Sequence, residues 1–549
     1  MKRLCFKLSS VFLLCILMCS NIYAQKLPKV IVPKFKKDTF NISKFGAIAN
    51  GFTLNTIAIN KAILTCNKNG GGVVHIPAGL WLTGPIELKS NVNLHISKDA
   101  LLQFTDDFKE YPLVLTNWEG LAAYRNQSPL FANNATNIAV TGKGIVDGNG
   151  DAWRMVKKDK LTASQWKKKT ESGGVLSDDK KTWYPTEKSL AGSKVKNAGV
   201  VANGITLKDV EAYKDFLRPN LLVFANCKNV LLDGVTFQNS PAWNIHPLMC
   251  ENLTIRNIVA KNPWYAQNGD GLDIESCKNF IVENSLFDVG DDGICIKSGR
   301  DAEGRKRAMP TENGIIRNCV VYHAHGGFVI GSEMSGGARN IYVDNCTFIG
   351  TDIGLRFKTT RGRGGIVENI FINNIIMKDI PGEAILFDMY YAAKDPVPMA
   401  GEKREPPVVE FKPVDETTPQ FKNFYVKNVV CNGAEKGIFI RGIPEMHINN
   451  INLENITIQA TKAIEIEEAT NINLKNITVL TKETNPVVYV LNSADVTLNN
   501  IVYSANSNLL LQVQGERTGK IKLINTDASK ALKKVEVGFG AKEENVIVQ

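Results

Sequence analysis

Residues 269–276 read GDGLDIES and residues 291–298 read DDGICIKS. The two segments superimpose without a gap at a step of 22 residues. HGGFVIGS at 325–332 follows after 34 residues, and DIGLRFKT at 352–359 after a further 27. Leu272, Ile294, Phe328 and Leu355 then share one column, and Ile274, Ile296, Ile330 and Phe357 another. Apolar positions two apart, with other residues between them, mark strands that bury one face. Upstream, SPAWNIHP at 240–247 is set in the same frame, with Asn244 over Asp273 and His246 over Glu275.

Outward from these coils a second regularity appears. Asparagines five positions apart recur at Asn252 and Asn257, Asn279 and Asn284, Asn313 and Asn318, Asn340 and Asn345, and onward to Asp495 and Asn500. Most steps are 21–34 residues and one is 54. A period near 25 with β-branched alternation is that of a solenoid, whose units bury their apolar faces only by stacking. Leucine-rich repeats need a Leu consensus that is absent, and propeller blades need about 40 residues. The expected fold is all-β, a right-handed single-stranded parallel β-helix.

The stretch at about 153–219 lacks the repeat and carries lysine clusters with Trp153, Trp166 and Trp183; it reads as an insertion flanking one face. The long step reads as a loop excursion at about 391–420. A helix is expected near 55–67. The 549 residues are 44% hydrophobic and 22% charged, which excludes a disordered chain and a polytopic membrane protein. Residues 1–24 read as a signal peptide, with Lys2, Arg3 and Lys7 before a short apolar core and Ala24 at the cleavage point. Met18 before Cys19 argues against a lipid anchor. The expectation is export to the periplasm or beyond, with residues 25–549 forming one β-helical domain and no membrane insertion after cleavage. Removing the signal takes away three of 65 basic residues and no acid, leaving a net charge of +7. With export, that small excess argues against a nucleic-acid partner. No CxxC pair exists, and the remaining cysteines read as small buried hydrophobes.

Chemistry gathers where the coils superimpose. Asp270 falls over Asp292, and Gly269 over Asp291 and then His325. Outward positions of the following coil hold Arg356 and Lys358. Parallel strands lie about 4.8 Å apart, so Asp270, Asp291 and Asp292 meet within one or two rungs. Crowded carboxyls raise one another's pKa, so one can hold a proton while another stays ionised. Glycoside hydrolysis needs that division between acid and base. Arg356, Lys358 and His325 suit a substrate carboxylate. An Asp cluster also suits calcium, but the adjacent basic groups argue against it. Arg361 and Arg363 read as solvated turn charges.

The ordered motifs Asn268-Gly269-Asp270, Gly290-Asp291-Asp292, His325-Gly326 and Arg356-Phe357-Lys358 resemble those of the family 28 glycoside hydrolases, the polygalacturonases. FGAIANGFTLNTIAINKAI from Phe45, GKGIVDGNGDAW from Gly142 and SPAWNIHP extend the resemblance over nearly the whole mature chain. It implies inverting hydrolysis of α-1,4-linked galacturonate in pectin, without a cofactor or metal. By the same resemblance Asp291 is the general acid, Asp270 and Asp292 activate water, and His325 supports the acid. Arg356 and Lys358 bind a sugar carboxylate, and Asn268 lies at the site's edge. A sugar-contacting tyrosine corresponds to Tyr390, with Tyr391 as the alternative. Gly269 replaces the family's Thr, Ala324 its Gly, and Gly327 is extra. HAHGGFVIGSEMSGG and LRFKTTRGRGG resemble the bacterial exo-acting branch, which implies release of galacturonate from non-reducing ends.

Three alternatives stay open: a rhamnogalacturonan or xylogalacturonan hydrolase of the same family, a β-helical pectate lyase, and a non-catalytic polysaccharide-binding protein. The expected partner is a pectic polysaccharide or oligogalacturonide, and a monomer is favoured.

Overall fold

The computed structural model describes residues 28–201, 204–392 and 410–549. The expected signal peptide, residues 1–24, lies outside them, as does most of the 391–420 excursion. The described chain winds as a right-handed parallel β-helix, with each strand hydrogen-bonded in parallel to its counterparts in neighbouring coils. One coil comprises Leu272–Glu275, Lys278–Glu283 and Leu286–Asp288; the next begins at Ile294–Lys297. Further on, bends between strands tighten until a whole coil reads as one strand, Ile366–Asp388 and then Gln420–Arg441. One continuous apolar core runs from Ile42 to Ala531.

The register of the four central coils is as read from the sequence: Leu272 pairs with Ile294, Ile294 with Phe328 and Phe328 with Leu355. All are fully buried. The coil upstream differs. Ile245 pairs with Leu272 rather than lying over Ile274, a slip of two residues. A two-residue slip keeps every inward side chain inward, so the apolar pattern cannot detect it; only an odd slip reverses the faces. Trp243 is thereby brought beside Asp270, and His246 reaches Glu275 diagonally, Nε2 to Oε2 at 2.9 Å.

The asparagine frame has a physical cause. Its residues hold left-handed backbone, φ 50–60°, at the corners of each coil, a region that asparagine tolerates better than other side chains. Many of their amide nitrogens donate to the asparagine oxygen of the preceding coil, while Asn257 and Asn374 donate to Asp233 and Asp344. Asn313, Asn340 and Asn369 climb one corner at 3.2, 3.2 and 3.3 Å, and Asn318 and Asn345 the other at 3.0 and 2.8 Å.

Helix Thr56–Lys68 caps the first coils, burying Ile59, Ala62, Ile63 and Cys66. All eight cysteines of the described residues are free and buried. Among the described residues no helix is long and apolar enough to cross a membrane.

A hairpin and a longer insertion leave the solenoid on the site's side, and helix Asp301–Arg307 leaves it further on. Antiparallel strands Leu113–Trp118 and Leu121–Asn126 form a hairpin. Between strands Ile145–Asp147 and Leu222–Ala225 the chain forms a small antiparallel sheet and short helices. Two of its tryptophans, Trp153 and Trp183, are packing elements rather than an open sugar platform. Trp153 is fully buried against Phe108 and Tyr111, and Trp183 donates Nε1–H to the Gly173 carbonyl.

Candidate active site

Asp270 and Asp292 each precede an inward Leu or Ile by two residues, so strand pairing stacks them. The Gly271 amide donates to the Asp292 carbonyl at 2.9 Å. One carboxylate oxygen from each of Asp270, Asp291 and Asp292 lies within 4.8 Å of the others. The next coil adds His325, whose amide donates to the Asp291 carbonyl at 3.0 Å and whose Nδ1 lies 3.1 Å from Asp291 Oδ1. One coil further, Arg356 Nη1 reaches Asp292 Oδ1 at 3.1 Å and Lys358 Nζ reaches Asp292 Oδ2 at 2.7 Å.

Burial separates the three acids. Asp270 and Asp292 are 3% and 1% exposed. The side chains of Asp291 and His325 are 23% and 49% exposed, so these two face the cleft. Burial, reinforced by Asp273 and Asp291, pushes the Asp270 carboxyl well above the usual range. Burial acts on Asp292 in the same sense, but Lys358, Arg356 and Lys297 overcome it and hold that carboxyl below its ordinary value. The hydrogen bond to Asp291 raises His325 against the effect of burial, with help from Asp292 and Asp352.

The trio is close enough to share one cation, but the donor set suits one poorly. Asp292 already faces two cationic side chains, and Asp270 is held toward its neutral form. A hard divalent ion binds oxygen ligands that carry charge.

A layer below the site escaped the sequence reading. Asp273 is fully buried, and neither carboxylate oxygen accepts a hydrogen bond. Its nearest cation is Lys297, Nζ to Oδ1 at 3.5 Å, and Lys297 also pairs with Glu333 at 3.0 Å. Lys297 sits 4.7 Å from the Trp243 ring centre. Arg363 joins this layer, bound to Asp301 at 2.7 Å, and Arg361 pairs with Glu445 at 2.5 Å. Neither arginine is the solvated turn charge expected of it. Glu333 lies 36 residues from Lys297, inside a turn without repeat register, so no sequence signal joins them.

Asn268 is held at the rim, where its Oδ1 accepts from Arg218 Nη2 at 2.9 Å. Gly269 is explained by close approach: a Cβ there would meet the Ala266 carbonyl oxygen at 2.7 Å. Tyr390 and its alternative Tyr391 are placed differently. Strand Ile366–Asp388 ends two residues earlier, and in the turn that follows successive side chains diverge. Tyr390 is buried between Arg361 and Arg441, whereas the Tyr391 ring centre lies 4.9 Å from Lys358 Nζ and 5.7 Å from the Arg356 guanidinium.

At the N-terminal side of the acids, the hairpin and the 148–221 segment enclose a cavity of about 280 Å³. Trp118, Arg125, Arg218, Asn268 and Arg300 line it. Trp118 stacks on Trp243 at 5.9 Å between ring centres, under the Arg125 guanidinium at 3.5 Å.

The sequence profile of the glycosyl hydrolases family 28 matches residues 167–427, which include Asn268, the three acids, His325, Arg356, Lys358 and both tyrosines. The chain is 31% identical over 431 residues to an exo-poly-alpha-D-galacturonosidase of Dickeya chrysanthemi, covering 76% of this chain and 65% of that one. It is 27% identical to a probable polygalacturonase of Vitis vinifera, over 77% of this chain and 74% of that one. A hyperthermoactive exopolygalacturonase from Thermotoga maritima superposes with a TM-score of 0.63 at 33% identity, covering 78% of this chain and 89% of that chain. Register, acid cluster and likeness over most of both chains agree: this chain is a glycoside hydrolase and belongs to family 28.

Proposed function

We propose that this enzyme hydrolyses α-1,4-linked galacturonan, removing galacturonate from non-reducing ends with inversion at the anomeric carbon. The observation that carries the reading is the Asp270–Asp291–Asp292 cluster beside Arg356 and Lys358. Asp291, open to the cleft, gives its proton to the glycosidic oxygen as the C1–O bond breaks. Asp292, held ionised, takes a proton from the water that attacks C1, and Asp270 helps to orient that water. His325 lies against Asp291 and holds its carboxyl in place. Arg356 and Tyr391 meet the sugar, and Asn268 borders its subsite. Lys358 acts first on Asp292 and only through it on substrate.

Exo action is supported by the exo-acting relatives and by the cavity that the hairpin and insertion enclose on one side of the acids. Product profiling on size-defined oligogalacturonides tests it. Monomer is the expected sole early product, and a ladder of sizes would overturn it. Saturated products in the presence of a chelator separate this reading from a pectate lyase. New reducing ends separate it from a binding protein. Parallel assays on xylogalacturonan and rhamnogalacturonan test the backbone preference.

Retention is the second reading, favoured by one distance. Oxygens within 4.8 Å are closer than the roughly 6.5–9.5 Å that most inverting enzymes leave for water. Inversion is supported by Asp292 being held by two cations, which removes it as a free nucleophile. The first anomer observed by NMR decides between them. The enzyme is proposed to act after export, with residues 1–24 as its leader and the β-helix as a single unit.

A further inference from the structure

The sheet face that carries Arg356 and Lys358 continues well beyond them. Strand register carries the Arg356 column through Leu386, Phe439, Glu465, Tyr489 and Gln512. The Lys358 column runs in step and reaches Gln514 five coils on. At about 4.8 Å per rung, Gln514 stands roughly 24 Å from Lys358 along the solenoid. Over these last coils lies a groove of about 1040 Å³.

Its chemistry differs from that of the catalytic cleft. Lys436 and Lys462 face Glu465, Glu483 and Glu536 across it. Lys436 pairs with Glu465 at 2.7 Å, and Gln512 donates to Glu536 at 2.9 Å. Three carboxylates face these two ammonium groups, and Lys533 is taken up by Glu536 at 2.7 Å, so no free positive excess attracts a polyanion. Gln514 lines the groove at 5% exposure, and its Oε1 accepts no hydrogen bond. A buried acceptor left unpaired is costly, and a ligand hydroxyl would satisfy it. Tyr489 and Phe539 also line the groove. Tyr489 is itself buried at 3% exposure, so the half-buried Phe539 ring offers the apolar surface on which sugar C–H groups pack.

We propose that this groove is a second carbohydrate site, which takes a neutral, hydroxyl-rich saccharide. That the saccharide is a branch of the polymer entering the catalytic cleft rests on the galacturonan reading; the binding itself does not.

Calorimetric titration of the full chain with β-1,4-galactan, α-1,5-arabinan and β-1,4-xylan oligosaccharides tests it, with trigalacturonate as the acidic comparison. At least one neutral sugar is expected to bind. Gln512→Ala, at a half-buried surface position, and Gln514→Leu should each weaken that binding about tenfold or more. The melting temperature and trigalacturonate turnover should hold. No neutral sugar binding at millimolar concentration overturns the proposal, and so does neutral binding that survives both substitutions. Failure of the galacturonan reading looks different: trigalacturonate is not hydrolysed while neutral-sugar binding and its loss in the variants persist.

Discussion

Lys358 Nζ lies 2.7 Å from Asp292 Oδ2, although the two side chains come from coils two apart. Both are almost fully buried. The contact makes Lys358 an electrostatic partner of the base before it is a ligand for substrate. Lys358→Met removes the strongest of the charges that oppose burial at Asp292, so that carboxyl should titrate at higher pH. The acid limb of kcat/KM should move toward neutrality, with kcat down about tenfold to a hundredfold. A rise in KM with an unmoved pH profile would restrict Lys358 to substrate binding.

Tyr391 and Tyr390 are adjacent in sequence and should behave differently. Tyr391→Ala removes the ring beside Arg356 and Lys358 and should lower kcat/KM about tenfold, with little change in melting temperature. Tyr390→Ala empties a buried site and should cost about 3 kcal/mol of stability. Thermal melts run beside kinetics separate the two.

Asp273 should destabilise the enzyme as pH rises. Burial lifts its carboxyl well above the ordinary value despite Lys297. A raised acid is fully favourable only below its unfolded pKa of about 3.9, and that benefit is lost as pH rises through the folded value. Asp273→Asn should therefore raise the melting temperature near neutral pH, with the gain shrinking toward pH 4. Glu333 carries the opposite sign. Burial would raise it, but Lys297 and Arg363 bring it down to about 2. Its contribution is present above about 4.3, the unfolded value, and is lost as pH falls through the folded one. Glu333→Gln should destabilise most near neutral pH and progressively less in acid.

The corner ladders admit a two-variant test. Asn340→Gly keeps the left-handed backbone and loses the amide bonds to Asn313 and Asn369; Asn340→Ala loses both. The alanine variant should be less stable than the glycine variant by about 1 kcal/mol, the cost of a Cβ in that conformation. Equal melting temperatures would mean that the ladder, not the backbone, selects asparagine.

Much of this was legible before any coordinates. Period-two apolar columns and the asparagine frame determine which residues stack, and stacking alone brings Asp270 onto Asp292 and His325 within reach of Asp291. The misses share causes. The coil at 240–247 was out by two because even slips preserve the inward face. Past Asp388 the strand ends and alternation stops being a guide, so the sequence alone does not separate Tyr390 from Tyr391. Glu333 and Arg363 enter from turns, where no period links them to Lys297. Asp273 was placed in its column, yet its role depends on burial, and an outward position does not announce that another layer covers it.

The sulfur groups stacked inside the coils bear on how the enzyme returns from unfolding. The Cys250 amide donates to Cys277 Sγ at 3.4 Å, and Cys227 lies in the coil before. Burial, with Asp38 nearby, pushes Cys66 up to about 11, and burial alone takes Cys431 to about 12. All eight thiols are buried, and buried thiols do not exchange or oxidise while the coils are closed. Opening the solenoid frees all eight together, with values near those of ordinary cysteine. Air then competes with rewinding, and any bond formed between wrong partners locks coils out of register. Recovery after heating should follow the reductant present rather than the peak temperature reached.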